Sequence, residues 1–158
     1  MLRKGILLLV ILTFVQCGPS KPDYNYEHTC IGTGENGLNV IKVFSYGKTV
    51  AEAIEKSKTN AVHAVLFKGI NCAGGRVEPP LAKNDDAEKH RAYFDEFFKT
   101  KKYLQYVTLS GDGSVNPKDR IKTDSGKYKV GIGVVVRRDA LRKKLEADGI
   151  IRSMNAGF

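Results

Sequence analysis

The chain has 158 residues, 26 Lys and Arg against 17 Asp and Glu, a formal charge of +9, three cysteines and no tryptophan. That length suits a leader followed by one domain large enough for a core of its own. The cations are spread along the sequence, which reads as solvated helix faces and strand edges, with attraction to lipid phosphates or acidic glycans as the sharper alternative.

The N-terminus reads MLRKGILLLVILTFVQCGPSKPD. Arg3 and Lys4 form a positive head. Gly5 to Val15 is an uncharged run of export-signal length, too short for the roughly 20 apolar residues of a membrane span. No later stretch is long enough either, so residues 1–16 are expected to be a cleaved signal. Losing Arg3 and Lys4 takes the charge from +9 to +7. The segment Phe14-Val15-Gln16-Cys17 resembles the lipobox of bacterial lipoproteins, with Gln16 where Gly, Ala or Ser is usual. The resemblance implies that Cys17 is acylated and becomes the mature N-terminus; the alternative is an ordinary signal peptide that happens to contain a cysteine. Each buried methylene contributes about 0.8 kcal/mol, and two or more chains make a stable anchor. Residues 17–29, with Gly18-Pro19-Ser20-Lys21-Pro22-Asp23, read as a lipidated tether. Gly18 is not the Asp that retains some lipoproteins in an inner membrane, which points to the bacterial outer membrane and leaves the leaflet open. Nucleic acid is not an expected partner of an exported chain; the membrane, through the lipid, is.

A single domain is expected over residues 30–150. Gly32 to Gly37, GTGENG, has the spacing of a dinucleotide-binding loop, but that loop needs a strand before it and a helix opening at its glycines. Only His28 to Ile31 precedes it and β-type sequence follows, while Asn36-Gly37 is a favoured hairpin pair. The motif reads as a turn, and no nucleotide or other cofactor is expected. Leu38 to Tyr46 reads as a strand. Thr49-Val50-Ala51-Glu52 is a capping box for a helix with Val50, Ile54, Ala61 and Val65 at helical spacing, Ser57 filling a small gap and Gly69 ending it. Residues 69–85 read as a loop. Asp85 and Asp86 are placed to cap a second helix, AEKHRAYFDEFFKTKK, whose face carries Phe94, Phe97 and Phe98. Tyr103 to Leu109 reads as strand, Ser110 to Pro117 as a turn-rich loop. In YKVGIGVVVR, Tyr128, Val130, Ile132, Val134 and Val136 share one face, and Gly131 and Gly133 leave the other bare, either for close approach of a helix or as a weakly covered surface. Asp139 caps a short last helix through Leu141 and Leu145, which Gly149 ends. Residues 151–158 form a tail, read as either a docking strand or a frayed end. The order predicts an α+β fold, two main helices packed on a mostly antiparallel sheet with a short C-terminal helix.

Once Cys17 is taken by lipid, Cys30 and Cys72 remain as a candidate disulfide, since exported proteins keep such bonds. A strand of about 30 Å and a helix returning about 27 Å bring the two segments together; the alternative is two separate buried thiols. His28, His63 and His90 lack ligand-like spacing, Asp112 to Asn116 lacks the acids of a calcium loop, and neither Cys30 with His28 nor Ser110 or Ser114 sits in a nucleophile motif. No metal, no cofactor and no catalysis are expected. Tyr24, Tyr26, Tyr93, Tyr103 and Tyr106 read as the edge of a core, or else as a sugar-binding surface.

The glycine-containing first strand, the alanine-rich helix over Ala51 to Ile70, the aromatic YFDEFF (Tyr93 to Phe98) and the final alternating strand and helix, YKVGIGVVVRRDALRKKLEADGI, together resemble small bacterial envelope lipoproteins of the LPP type, related to the N-terminal domain of flagellar assembly protein T. The resemblance spans roughly residues 30–150. It implies a noncatalytic role as an outer-membrane assembly or protein-interaction component, by analogy of fold. A carbohydrate- or peptidoglycan-binding module is the alternative.

Overall fold

A computed structural model describes residues 24–34, 37–72 and 75–153. The segment expected to be a signal, Cys17, the first part of the expected tether, Asn36 and the last residues of the expected tail lie outside the described residues. The chain forms β1 (Tyr26–Gly34), β2 (Leu38–Gly47), α1 (Val50–His63) and a π-turn (Ala64–Lys68). Next come β3 (Ile70–Asn71), β4 (Val77–Glu78), α2 (Asn84–Lys89), α3 (Arg91–Lys99) and a 3-10 turn (Lys102–Tyr106). The last part runs through β5 (Val107–Leu109), a 3-10 turn (Pro117–Asp119), β6 (Arg120–Lys122), β7 (Tyr128–Arg137) and α4 (Arg138–Ala147). This is an α+β fold on an antiparallel sheet, ordered β1-β2-β7-β5, with β6 also paired to β7.

The sheet is one-sided because its strands alternate. From β2, Asn39, Ile41, Val43 and Ser45 turn inward, opposite Val136, Val134, Ile132 and Val130 of β7. Helix α1 lies against this face through small residues, Ala53, Ser57, Asn60 and Ala61. Ser57 Oγ lies 3.0 Å from Ser45 Oγ, and Asn60 Nδ2 donates to the same Ser45 oxygen at 2.8 Å. Gly47 lets the helix start close by, since a Cβ there would collide with the Ala53 amide. The buried stripe is turned from the expected one: Ala61 and Val65 are buried, but Val50 and Ile54 only half so. The start follows the sequence. Thr49 Oγ1 accepts from the Glu52 amide at 3.1 Å, while the Glu52 carboxylate accepts from the Lys48 amide at 2.8 Å.

Several expectations are corrected. Tyr26 to Thr29, read as tether, belong to β1, whose inward residues Tyr26, His28 and Cys30 alternate as a strand requires. The second helix breaks at His90 (φ −110°) into α2, which buries nothing, and α3, which buries Phe94 and Phe97. It starts at Asn84, with Asp86 accepting from the Lys83 amide at 3.3 Å, rather than at an aspartate cap. Helix α3 meets the core through aromatic contacts, Phe94 to Phe67 (centroids 4.9 Å) and Phe98 to Tyr103 (5.5 Å). Residues 102–106 are 3-10 rather than strand, because Tyr103 and Tyr106, three apart, then share the buried side. Asp139 sits within the first turn of α4, its side chain beside Gly37. Gly149 (φ 69°) follows α4, and Ile150 and Ile151 fold back to bond the Leu145 carbonyl, so the packed domain reaches past 150.

The segment after Gly69 is more ordered than a loop. Strands β3 and β4 pair, and the Leu81 and Ala82 amides donate to the Val65 and Leu66 carbonyls, carbonyls that the helix end would otherwise leave free. Cys30 and Cys72 form a disulfide with Cα atoms 4.7 Å apart. It fastens this segment to β1.

Candidate functional site

The glycine-rich hexapeptide joins two antiparallel strands. Gly34 pairs with Leu38, Gly37 takes φ 66°, and the chain continues from Leu38 as strand β2. Its geometry is that of a hairpin connection.

The face of the sheet turned away from α1 is left uncovered by the described helices. Across β1, β2 and β7 the register places Glu27, Phe44 and Gly131 in one row and Thr29, Lys42 and Gly133 in the next. The Phe44 ring lies over Gly131, so a Cβ at that position would collide with it. The side chain of Ile31, 59% exposed, reaches over Gly133. Gly131 therefore serves as floor for the ring of the adjacent strand, and Gly133 for Ser110, just after β5, and for Ile31, two strands away; neither seats a helix. Lys42 Nζ and Lys129 Nζ stand 5.2 and 5.3 Å from the Phe44 centroid, and Lys129 also 5.8 Å from that of Tyr46. Carboxylates hold both ammonium groups in place: Asp119 bonds Lys42 at 2.7 Å and Glu27 bonds Lys129 at 2.7 Å. The Glu27 contact raises the Lys129 pKa, and desolvation only partly opposes it. Half-exposed Val40 and Val135 and exposed Ile121 (52%) extend the face. Nothing in the sequence beyond alternation and the two glycines announced this arrangement.

A second cluster surrounds His63 at the end of α1. Tyr24 stacks on its ring at 3.7 Å between centroids, the Tyr26 hydroxyl is hydrogen-bonded to Nδ1 at 2.8 Å, and Phe67 meets it edge-on at 5.0 Å. Burial, then the Lys68 charge, lower its pKa to about 4. Burial also lifts the Tyr24 hydroxyl to about 12, with Asp95 adding to the rise, and lifts that of Tyr26 further. Lys68 Nζ stands 4.0 Å from the Tyr26 centroid. His28 Nε2 donates to the Gly69 carbonyl at 3.2 Å. His63 and His28 thus act as packing and linking groups, and Cys30, held in the disulfide, carries no thiol for either to deprotonate.

The other candidates are scattered. Asp112 accepts from the Ser114 amide at 2.9 Å in a local turn. Among the described residues no three His, Cys, Asp or Glu side chains converge as metal ligands, and no helix is long and apolar enough to cross a membrane. Tyr26, Tyr103 and Tyr106 are buried, Tyr24 is stacked, and Tyr93 donates to Asp148 at 2.6 Å. These five tyrosines belong to the edge of the core. Below the sheet edge, Glu78 accepts from Asn39 Nδ2 at 2.7 Å and faces Arg138 at 3.4 Å and Arg76 at 3.5 Å, fixing β4 to β2 and α4. An open cleft of about 400 Å³ lies between Leu38, Arg137, Asp139, Ala140 and Lys143.

No protein-family model, curated protein or solved structure matches the chain.

Proposed function

We propose that this chain is an exported, lipid-anchored component of the bacterial outer membrane that holds another envelope protein against the uncovered face of its sheet, without catalysing a reaction. The observation that carries the reading is the Phe44 face. A half-apolar surface with its lysines pinned by carboxylates loses little side-chain freedom when a partner covers it, which favours association. Export draws support from the leader and from the Cys30–Cys72 bond, a linkage that oxidising compartments preserve. Anchoring rests on Cys17 and its resemblance to a lipobox cysteine. The likeness to LPP-type lipoproteins supports an assembly role.

The test has two parts. Mass spectrometry of the native protein should find acyl chains on an N-terminal Cys17, and Cys17→Ser should leave the membrane fraction; an unmodified N-terminus elsewhere defeats the anchor. A photo-crosslinker replacing Phe44 should capture one protein neighbour, and the same label at Lys89, away from this face, should not. Retention on peptidoglycan with no protein crosslink would favour the glycan-binding alternative, for which the half-buried Phe44 and Tyr46 are then the aromatic platform.

A further inference from the structure

The described chain begins at Tyr24, and its ring position fixes the end of the molecule from which the tether leaves. Tyr24 stacks on His63 and meets Phe98 at 6.0 Å, while Phe98 meets Tyr103 at 5.5 Å. Between Phe98 and Tyr103 runs Lys99-Thr100-Lys101-Lys102, a turn from the last residue of α3 to the first of the 3-10 segment, every residue of it exposed. Leu104 follows, 38% exposed. Among the described residues none of Lys99, Lys101 and Lys102 forms an ion pair with a carboxylate, whereas Lys42, Lys129 and Lys144 each do. Lys101 also adopts the left-handed backbone (φ 58°), and all other described residues with positive φ are glycines. A lysine in that conformation is disfavoured relative to glycine, so the turn presents its charge at a conformational cost.

The geometry points to this turn as a second membrane contact: Lys99, Lys101 and Lys102 engage anionic lipid headgroups, with Leu104 reaching the interface. The inference rests on the anchor at Cys17. Only Gly18 to Asp23 separates that cysteine from Tyr24. Fully extended chain spans at most about 3.6 Å per residue, so the Tyr24 end stays within roughly 25 Å of the bilayer surface. Charge complementarity selects the occupant: a lipid-tethered domain meets headgroup phosphates before anything else, and unpaired lysines near an anionic surface are attracted within a Debye length. Asp95 and Glu96 lie a turn earlier on α3, while Asp148, whose field reaches Lys102, is held by Lys144 and Tyr93.

The chain has no tryptophan, so Leu104→Trp in the full lipidated protein gives a unique reporter. On vesicles of phosphatidylglycerol and phosphatidylcholine its emission should shift to the blue and be quenched by brominated lipid. On phosphatidylcholine alone, where the anchor still holds the protein, it should stay as in water. Replacing the three lysines by Gln should abolish the shift at moderate salt. In the Cys17→Ser chain the same replacement should weaken anionic partitioning roughly fivefold per lysine. An intact Cys30–Cys72 bond and an unchanged melting profile certify folding of each variant. Equal emission on both vesicle types, or a shift indifferent to the lysines, overturns the contact even where mass spectrometry finds the lipid. Absence of lipid together with a lysine-dependent shift overturns the anchor and leaves the contact standing.

Discussion

The ring of Phe44 covers the backbone of Gly131 on the neighbouring strand, occupying the space where a side chain on that strand would stand. Gly131→Ala forces the ring off its seat and is expected to cost about 1–2 kcal/mol, the usual scale for inserting a methyl group into filled space. In a Phe44→Ala background the same change should be neutral or stabilising, because alanine outperforms glycine in a strand. Urea denaturation of the four proteins measures the coupling; strictly additive effects would show that the ring does not rest there.

His63 gives the domain an acid-side weakness. Its pKa is lowered from 6.5 to about 4 by burial and then by Lys68, so the folded protein binds fewer protons than the unfolded chain between those values. Stability from this group is complete above about pH 6.5 and is lost as pH falls towards 4. His63→Phe keeps an aromatic partner for Tyr24 and removes the titration, while stranding the Tyr26 hydroxyl. Melting temperatures should be lower than wild type at pH 7 and should converge with it near pH 4. A constant offset across that window would refute the assignment.

The disulfide closes a sequence separation of 42 residues. In the chain-entropy model such a loop contributes about 4 kcal/mol. The paired change Cys30→Ala with Cys72→Ala should lower the urea midpoint accordingly. Wild type treated with an alkylating agent without reductant should gain no label at either cysteine.

Glu78 ties the short β3–β4 ladder to the rest of the molecule through Asn39, Arg76 and Arg138. Glu78→Ala leaves Asn39 Nδ2 without its acceptor and Arg138 without its counter-charge, though Arg138 still donates to the Pro79 carbonyl, and should cost about 2 kcal/mol, below the scale of a fully broken buried pair. Glu78→Gln should cost less, since the amide oxygen still accepts. Limited proteolysis should show faster cutting at Arg76 in the alanine variant.

The strands with strict alternation, Leu38 to Tyr46 and Tyr128 to Val136, were legible because one buried face imposes a period of two, and the Thr49–Glu52 box announced α1 unaided. Other elements obey contacts made far along the chain. Tyr103 to Tyr106 is strand-like in composition, yet turns because both tyrosines must meet the aromatic group around Phe97 and Phe98. Tyr24 looked like tether until His63, on a helix, supplied its stacking partner. The Phe44 surface was half visible: two glycines marked a bare side, but the ring that fills it comes from another strand, and spacing along one strand carries no such information.

Strand β7 lies at the centre of the sheet, bonded to β2 on one edge and to β5 and β6 on the other, although it is the last of the described strands to be synthesised. Until residue 137 is available only the β1–β2 hairpin can pair within that sheet, and an isolated hairpin is marginal in water. The sheet is therefore assembled around its latest strand, and the edges β1–β2, β5 and β6 gain a common partner in one step when β7 arrives.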